Sequence, residues 1–173
     1  MKPAMIRLLE AEDAPAVLAL RHAGLVDSPM SFGAAPETDQ FQSEDAVRAY
    51  LSGAPENVLF GAFDLQGETE GALVGLIGMV RGRHSKVQHR AMVWGMYVAP
   101  DARKQGLGRA LIEATADHAA ELGADFLDLA VSEVSTAAHK LYERAGFFEY
   151  GRHPAGIRHQ ECRTVEILMT RKL

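Results

Sequence analysis

The 173-residue chain is 47% hydrophobic and 24% charged, as ordinary globular domains are, so we expect a single domain over residues 1–173. A net charge of −5 and dispersed basic residues argue against a nucleic-acid partner. The only cysteine, Cys162, excludes an internal disulfide, and the longest apolar stretch, residues 72–80, is too short to span a bilayer. We therefore expect a cytoplasmic protein with no membrane partner. The histidines fit no metal-ligand spacing, so no metal is expected.

The first half of the chain predicts one strand, two helices and three strands. The predicted elements are a strand at 5–9, a helix capped by Asp13 with Pro15 in its first turn, a helix capped by Ser43, and strands at 58–63, 72–80 and 91–98. Glycine, proline and polar residues predict loops at 27–42 and 64–68, and the second of these links a β-hairpin. Residues 81–89 are polar and are expected to turn the chain.

The second half alternates helices and strands. Residues 106–122 carry the clearest helical pattern, with an apolar stripe formed by Leu107, Ala110, Leu111, Ala114, His118 and Leu122. The remaining predictions are helix termination at Gly123, a strand at 126–131, a helix capped by Ser135 and closed by Gly146, strands at 147–151 and 164–170, and a loop between these last two strands. The pattern indicates an α/β fold: a mixed sheet with helices on both faces. It does not fix the order of the strands in the sheet.

A glycine-containing segment lies between the strand at 91–98 and the long helix. Glycine allows a ligand to approach the main chain, and the first N–H groups of a helix have no intrahelical partner. Together with the helix dipole they suit a diphosphate. The candidate ligand-binding residues are Arg103, Lys104, Gln105, Gly106, Leu107, Gly108 and Arg109. The alternative is a tight turn needed only for packing. Neither a P-loop nor a dinucleotide fingerprint matches the spacing.

Two motifs resemble the GNAT superfamily of N-acetyltransferases. The first is Arg103-x-x-Gly106-x-Gly108 after a strand that ends Met96-Tyr97-Val98. The second is Ala138-x-x-Leu141-Tyr142-x-x-x-Gly146-Phe147. The similarity extends over most of the chain. It implies a GNAT-like fold of about seven strands and four helices, in which the fourth and fifth strands splay apart to admit acetyl-CoA.

The resemblance also implies roles for individual residues. Met96, Tyr97 and Val98 would contact acetyl-CoA, with the Met96 backbone N–H stabilising the oxyanion that forms when an amine attacks the thioester. Gly95 suits a β-bulge that frees these backbone groups. Tyr142, the family's general acid, would protonate the departing thiolate; the alternative for Tyr142 is core packing. Ser135 is also a candidate contact of the cofactor. It departs from the family pattern, in which this residue is usually asparagine, and its side chain is shorter.

The general base is left open between several groups. Glu133, just beyond the fifth strand, is the first candidate, with Glu166, His89 and water as alternatives. In the ribosomal-protein N-terminal acetyltransferases a glutamate precedes the asparagine by five positions. Here that position is Ala130, which argues against that group.

The sequence therefore predicts an acetyl-CoA-dependent N-acetyltransferase acting on a primary amine of a small molecule or peptide, as a monomer or homodimer. Direct attack in a ternary complex needs no covalent intermediate, and nothing near Cys162 marks it as a nucleophile. The main alternative is a non-catalytic acyl-CoA sensor of the same fold. A nucleotide-binding domain that uses the same glycine-containing segment (residues 103–109, the glycine loop) is a third possibility.

Overall fold

The computed structural model describes residues 4–66 and 69–173. Within these residues, seven strands and four helices follow one another in the order that the sequence predicts. They are β1 (Ala4–Leu8), α1 (Ala14–Asp27), α2 (Glu44–Leu51), β2 (Asn57–Gln66), β3 (Thr69–Arg81), β4 (Arg90–Val98), α3 (Leu107–Glu121), β5 (Phe126–Ser132), α4 (Thr136–Arg144), β6 (Phe148–His159) and β7 (Cys162–Lys172). No helix in the described ranges is long and apolar enough to cross a membrane.

All seven strands form one sheet, in the order β1-β2-β3-β4-β5-β7-β6. Every neighbouring pair is antiparallel except β4 and β5, which run parallel. Because a parallel connection requires a long crossover, α3 lies between these two strands in the chain. The mixed sheet predicted from the sequence is confirmed, and the pairing supplies the strand order.

Helices cover both faces of the sheet. On what we call the α1–α2 face, Val17, Leu20 and Val47 pack with Leu76 and Tyr97. On the α3 face, the buried residues of α3 and α4 pack against the central strands; they include Leu107, Leu111, Ile112, Ala116, Ala119, Tyr142 and Ala145. Burial of these two apolar sets supplies the main favourable free energy of folding.

The buried side of α3 is rotated from the predicted stripe. Ile112, Thr115 and Ala119 are fully buried, although none belongs to that stripe. Ala114 and His118 lie at its edge, where His118 packs edge-on against Phe60 with ring centroids 5.6 Å apart. The α3 helix contacts β1, β2, β3 and β4. As predicted, Gly123 ends the helix in the left-handed conformation, with φ +82°.

The prediction of a long loop between β6 and β7 is wrong. Both strands continue into it, so that Ile157 pairs with Thr164 and His159 pairs with Cys162. The β6 strand is at the edge of the sheet, and between residues 148 and 159 only Ile157 is buried. An edge strand that is exposed on both faces has no apolar alternation, and the sequence pattern therefore missed it.

The β2–β3 hairpin is also longer than predicted. Residues 64–66, expected in the loop, belong to β2, and Leu65 and Gln66 pair with Glu70 and Thr69 of β3. The remaining residues of that predicted loop, 67–68, lie outside the described residues.

Of the three predicted N-caps, one is confirmed. The Ser43 hydroxyl accepts a hydrogen bond from Ala46 N at the start of α2. Asp13 does not cap α1, because its carboxylate accepts from Glu10 N and from the Arg7 guanidinium at 2.7 and 2.8 Å. Ser135 does not cap α4 through its side chain either, since its hydroxyl bonds elsewhere.

Candidate active site

Strands β4 and β5 separate partway along their length. Their parallel pairing covers only Arg90 with Phe126, Ala91 with Leu127 and Met92 with Asp128. Residues 93–98 and 129–132 continue the two strands without pairing across this gap. The expected splay of the fourth and fifth strands is therefore present. It leaves one backbone edge of β4 open along the segment that contains Met96, Tyr97 and Val98.

An ion pair holds the closed end of this cleft, and the sequence analysis did not identify it. The Arg90 guanidinium donates to the Asp128 carboxylate, with Nε 2.7 Å from Oδ2. The same guanidinium lies over the Phe126 ring, 4.9 Å from its centroid. The hydrogen bond to Asp128 raises the pKa of Arg90 and keeps the group charged. The two strands are thus fixed together where the cleft begins.

A β-bulge interrupts β4 within the cleft. Leu76 pairs with Tyr97, whereas Gly78 pairs with Trp94, so β4 has one extra residue in this interval. Gly95 takes φ +64°, a conformation that L side chains rarely adopt. The bulge changes the phase of the strand: Val93 packs on the α3 face and Tyr97 on the α1–α2 face. The predicted bulge at Gly95 is therefore present.

The glycine loop turns sharply before α3. Lys104 and Gly106 both have left-handed backbones, with φ values of +63° and +84°. The first N–H that bonds back to this loop as the helix starts belongs to Ala110, which donates to Gly106 O. The amides of Leu107, Gly108 and Arg109 precede it and have no intrahelical acceptor. Successive amides in such a turn form an anion-binding concavity.

Gly108 has a packing reason of its own. A Cβ at this position would lie 2.8 Å from Leu141 Cδ2 and 2.9 Å from Met96 Cε. The absent side chain therefore allows the first turn of α3 to approach both β4 and α4. The three elements that carry the two motifs meet at this point.

The basic residues of the loop differ in their partners. The Arg103 guanidinium donates to the Asp27 carboxylate at 2.8 Å and to Val98 O at 2.9 Å, which braces the loop against α1. This hydrogen bond lowers the pKa of Asp27. Lys104 is exposed, and Arg109 is 65% exposed, 3.9 Å from Glu113. Lys104 and Arg109 are therefore better placed than Arg103 to meet a phosphate.

Tyr142 lies on α4 and reaches the cleft. Its side chain is buried, and its hydroxyl donates to Met96 Sδ on β4 at 3.4 Å. The Phe147 ring packs edge-on against it, with centroids 5.8 Å apart. Burial raises the pKa of the phenol, so the hydroxyl retains its proton at neutral pH. Tyr142 packs in the core and also presents its hydroxyl to the bulged strand, and its role as general acid stays a prediction.

Ser135 stands at the entrance to α4 and contacts the opposite side of the cleft. Its hydroxyl lies 2.7 Å from that of Ser31, in the loop between α1 and α2 (residues 28–43, the α1–α2 loop). This contact joins parts of the chain that are 104 residues apart in sequence. The α1–α2 loop therefore reaches across from α1 to α4.

The three candidate bases occupy different places. The Glu133 carboxylate accepts from Val165 N at 2.9 Å, which ties the end of β5 to β7. His89 precedes β4 at the closed end of the cleft, and its carbonyl accepts from Phe126 N. Gly95 lies six positions further along the extended chain, about 20 Å away. That distance is too long for His89 to serve an amine near the bulge.

Glu166 lies on the α1–α2 face of the sheet. Glu166 pairs with Ser132 of β5, and paired residues face the same side of a sheet. Side chains alternate along β5, so Ser132 shares a face with Asp128. Asp128 in turn pairs with Met92 of β4. Met92 and Trp94 share a face of β4, and Trp94 packs on the α1–α2 side. The Glu166 side chain is 23% exposed, 4.0 Å from His153 Nδ1. Glu166 is the candidate base that faces the same side as the bulge.

A surface groove of about 820 Å³ adjoins this face. Tyr50 and Trp94 line one part of it. Arg81 at the end of β3, with Arg83 and His84 of the β3–β4 turn (residues 82–89), lines another. The groove includes neither Tyr142 nor the glycine loop, and it meets the cleft between β4 and β5 only at Trp94.

The Acetyltransferase (GNAT) family model matches residues 25–147, about two thirds of the chain and all of the cleft residues on β4, α3 and α4. The chain belongs to this family of acetyltransferases.

The chain is also similar to individual proteins. A GCN5-related N-acetyltransferase from Kribbella flavida is 26% identical, with a TM-score of 0.82 and 98% of each chain covered. The yncA structure from Salmonella typhimurium, solved with its cofactor acetyl-CoA, has a TM-score of 0.81 at 18% identity and covers 99% of this chain and 94% of that one. A mycothiol acetyltransferase of Propionibacterium freudenreichii is 41% identical over 58 residues, which are 34% of this chain and 19% of that protein. This short match carries no information on substrate.

Proposed function

We propose that the protein is an acetyl-CoA-dependent N-acetyltransferase that transfers an acetyl group to a primary amine by direct attack in a ternary complex. The observation that carries this proposal is the position of the Tyr142 hydroxyl. It points across the opening of the sheet to Met96, beside the bulge and next to the first turn of α3. A protonated phenol, an open strand edge and an anion-binding helix start are thus brought together.

The residues of the cleft fit acetyl-CoA. The amides of residues 106–109 and the cations of Lys104 and Arg109 suit the diphosphate. The open edge of β4 from Met96 to Val98 suits the amide-containing pantetheine arm, because it offers backbone donors and acceptors. Bound acetyl-CoA would supply an acetyl group activated as a thioester. The proposed ligand contact of Ser135 competes with its hydrogen bond to Ser31.

Three groups of the chain perform the proposed chemistry. The Met96 backbone N–H donates to the carbonyl oxygen of the acetyl group as negative charge develops there. The Tyr142 hydroxyl donates its proton to the departing sulfur. A carboxylate, directly or through water, accepts the proton that the attacking amine loses. Among the predicted bases, the geometry favours Glu166 over Glu133, because the Glu133 carboxylate already accepts from the β7 backbone.

A covalent acetyl-enzyme has no support from the position of the cysteine. Cys162 is exposed at the start of β7 and pairs with His159 at the far end of the β6–β7 hairpin. Direct transfer between the two substrates remains the simpler proposal.

Two observations favour a second candidate, a non-catalytic acyl-CoA sensor of the same fold. The first predicted base, Glu133, is bound to Val165 N, and Ser135 stands where the family has asparagine. A sensor needs the cleft but no base.

Single-domain organisation, cytoplasmic location and the monomeric or dimeric state stay predictions.

The test compares turnover with binding. CoA release from acetyl-CoA is followed with a panel of primary amines, and acetyl-CoA binding is measured by calorimetry on the same protein. Because Cys162 is an exposed thiol, CoA is quantified by chromatography and not with a thiol reagent. Amine-dependent CoA release supports the enzyme. Tight binding without any amine-dependent release supports the sensor and rejects the enzyme.

A further inference from the structure

A buried ion pair lies under the α1–α2 loop. Arg21 of α1 donates to Asp39 of this loop through Nε at 3.1 Å and through Nη2 at 2.8 Å. The two side chains are only 7% and 4% exposed. The positive charge of the guanidinium is thus balanced by one carboxylate, which occupies one edge of its plane.

The third nitrogen of this guanidinium has no partner. Among residues 4–66 and 69–173, no atom accepts a hydrogen bond from Arg21 Nη1, although the atom is buried. Leaving a charged donor unsatisfied away from water is costly, and folded proteins rarely do so. A water molecule or a bound ligand can supply the acceptor that this buried donor lacks.

Arg21 Nη1 is directed at the bulge of β4. A Cβ at Gly95 would lie 3.0 Å from this nitrogen. The rings of Phe32 and Trp94 flank the guanidinium, with their centroids 5.2 and 5.6 Å from Cζ. Gly95 directly precedes Met96, where the acetyl group is proposed to bind. The unpaired donor therefore lies beside the residue proposed to hold the acetyl group, on the face of the sheet that also carries Glu166, the proposed base.

The local charge selects the type of oxygen that this donor binds. Arg21 and Asp39 together carry no net charge. A carboxylate would add an unpaired negative charge to a buried site, which is unfavourable, whereas a neutral carbonyl oxygen would only satisfy the donor. The two flanking aromatic rings also suit a flat amide group.

We propose that Arg21 is a specificity-determining residue and that its Nη1 donates a hydrogen bond to a neutral carbonyl oxygen next to the amine of the acceptor. The acceptor class is then the α-amino amide, as in a peptide N-terminus or an amino-acid amide. This inference rests on the proposed acetyltransferase function. The open groove of about 820 Å³ that begins at Trp94 offers room for the rest of a longer acceptor.

The first test uses the unmodified protein and three small acceptors of similar shape: alaninamide, alanine and isopropylamine. Their kcat/KM values are compared after correction for the fraction of unprotonated amine. Alaninamide is expected to exceed both of the others by at least about ten-fold, as for a site that hydrogen-bonds one polar group of its substrate. Equal values for alaninamide and isopropylamine, or a preference for alanine, would overturn the inference.

A second arm separates this inference from the proposed function. Binding of the same three molecules to the CoA-loaded protein is measured by NMR. Preferential binding of alaninamide without any turnover would reject the transferase and keep the role of Arg21. Turnover of amines with no preference for the amide would reject the role of Arg21 and keep the transferase. Absence of both binding preference and turnover would reject both.

The variant Arg21→Lys keeps a cation beside Asp39 and removes Nη1. We expect KM for alaninamide to rise about ten-fold, while KM for isopropylamine and the affinity for acetyl-CoA stay within two-fold. Arg48→Lys, on the exposed side of α2 and paired with Glu44, is the matched control. If Arg21→Lys does not fold, the double variant Arg21→Met/Asp39→Leu removes both charges together. An equal loss for both acceptors in either variant would show a structural role only and would contradict the proposal.

Discussion

Replacing Tyr142 by phenylalanine removes one oxygen atom from the wall of the cleft and leaves the ring in place. The hydroxyl donates to Met96 Sδ at 3.4 Å, and a thioether is a weak acceptor. The loss of this hydrogen bond should cost at most about 1 kcal/mol of unfolding free energy. The edge-on contact with Phe147 is retained.

The effect of Tyr142→Phe on turnover should be far larger than its effect on stability. General acid catalysis contributes about 10²- to 10⁴-fold. At 1.36 kcal/mol for each factor of ten, this corresponds to a barrier higher by about 2.7–5.4 kcal/mol. The affinity for acetyl-CoA should change less than about three-fold, because the variant removes no group that contacts the diphosphate.

The assay measures kcat by chromatographic detection of CoA, the dissociation constant of acetyl-CoA by calorimetry, and unfolding in urea. Tyr150→Phe is the matched control, because Tyr150 is a tyrosine on β6 that is 56% exposed. A kcat of Tyr142→Phe within three-fold of the unmodified protein would remove Tyr142 from the chemical step. It would also leave core packing as the only function of this residue.

Three further predictions follow from the described contacts. Lys104→Gln and Arg109→Gln should each weaken acetyl-CoA binding by about 1 kcal/mol, roughly five-fold, and the loss should be smaller at high salt. Lys86→Gln, at an exposed position in the β3–β4 turn, is the control. Unchanged affinities of the two loop variants, measured by calorimetry, would contradict the phosphate site. Glu166→Gln should lower kcat by at least about ten-fold. Glu133→Gln should mainly lower the midpoint of urea unfolding, because Glu133 accepts a hydrogen bond from Val165 N. The reverse result would make Glu133 the base. Burial raises the pKa of Tyr142, so the folded state keeps this proton while the unfolded state loses it, and stability should fall as the pH rises above about 10. Tyr142→Phe should lose less stability than the unmodified protein over that interval, as measured by thermal unfolding.

The order of the elements could be predicted because each central element has a distinct signal. The stripe of α3 and the apolar run of β5 belong to buried elements, where burial and sequence period agree. The edge strand β6 has no such agreement, because between residues 148 and 159 only Ile157 is buried. The end of that strand was therefore missed, although the element itself was predicted. The exact capping contacts of Asp13 and Ser135 were missed because each side chain found a partner outside its own helix.

The candidate site was predicted to the extent that it is local in sequence. The glycine loop and the Ala138–Phe147 segment each carry a contiguous motif, and the structure brings them together through Gly108, Leu141 and Met96. The pairs Arg21–Asp39 and Arg90–Asp128 have no such motif, since 18 and 38 residues separate their members. Only the topology of the sheet and the path of the α1–α2 loop bring these charges together.

The two ion pairs and the serine contact occupy complementary positions around one opening. Arg90 and Asp128 hold β4 and β5 together where the cleft begins. Arg21 and Asp39 anchor the α1–α2 loop beside the bulge, and Ser31 joins the same loop to Ser135 at the start of α4. The α1–α2 loop is thus held at two points, Asp39 and Ser31. The proposed acceptor side of the cleft thus depends on polar side-chain contacts, whereas the proposed acetyl-CoA side depends on backbone geometry at Gly95 and Gly106. Substitutions on the two sides should therefore have different effects. Those in the α1–α2 loop should alter the choice of acceptor, and those in the glycine loop should alter the affinity for acetyl-CoA.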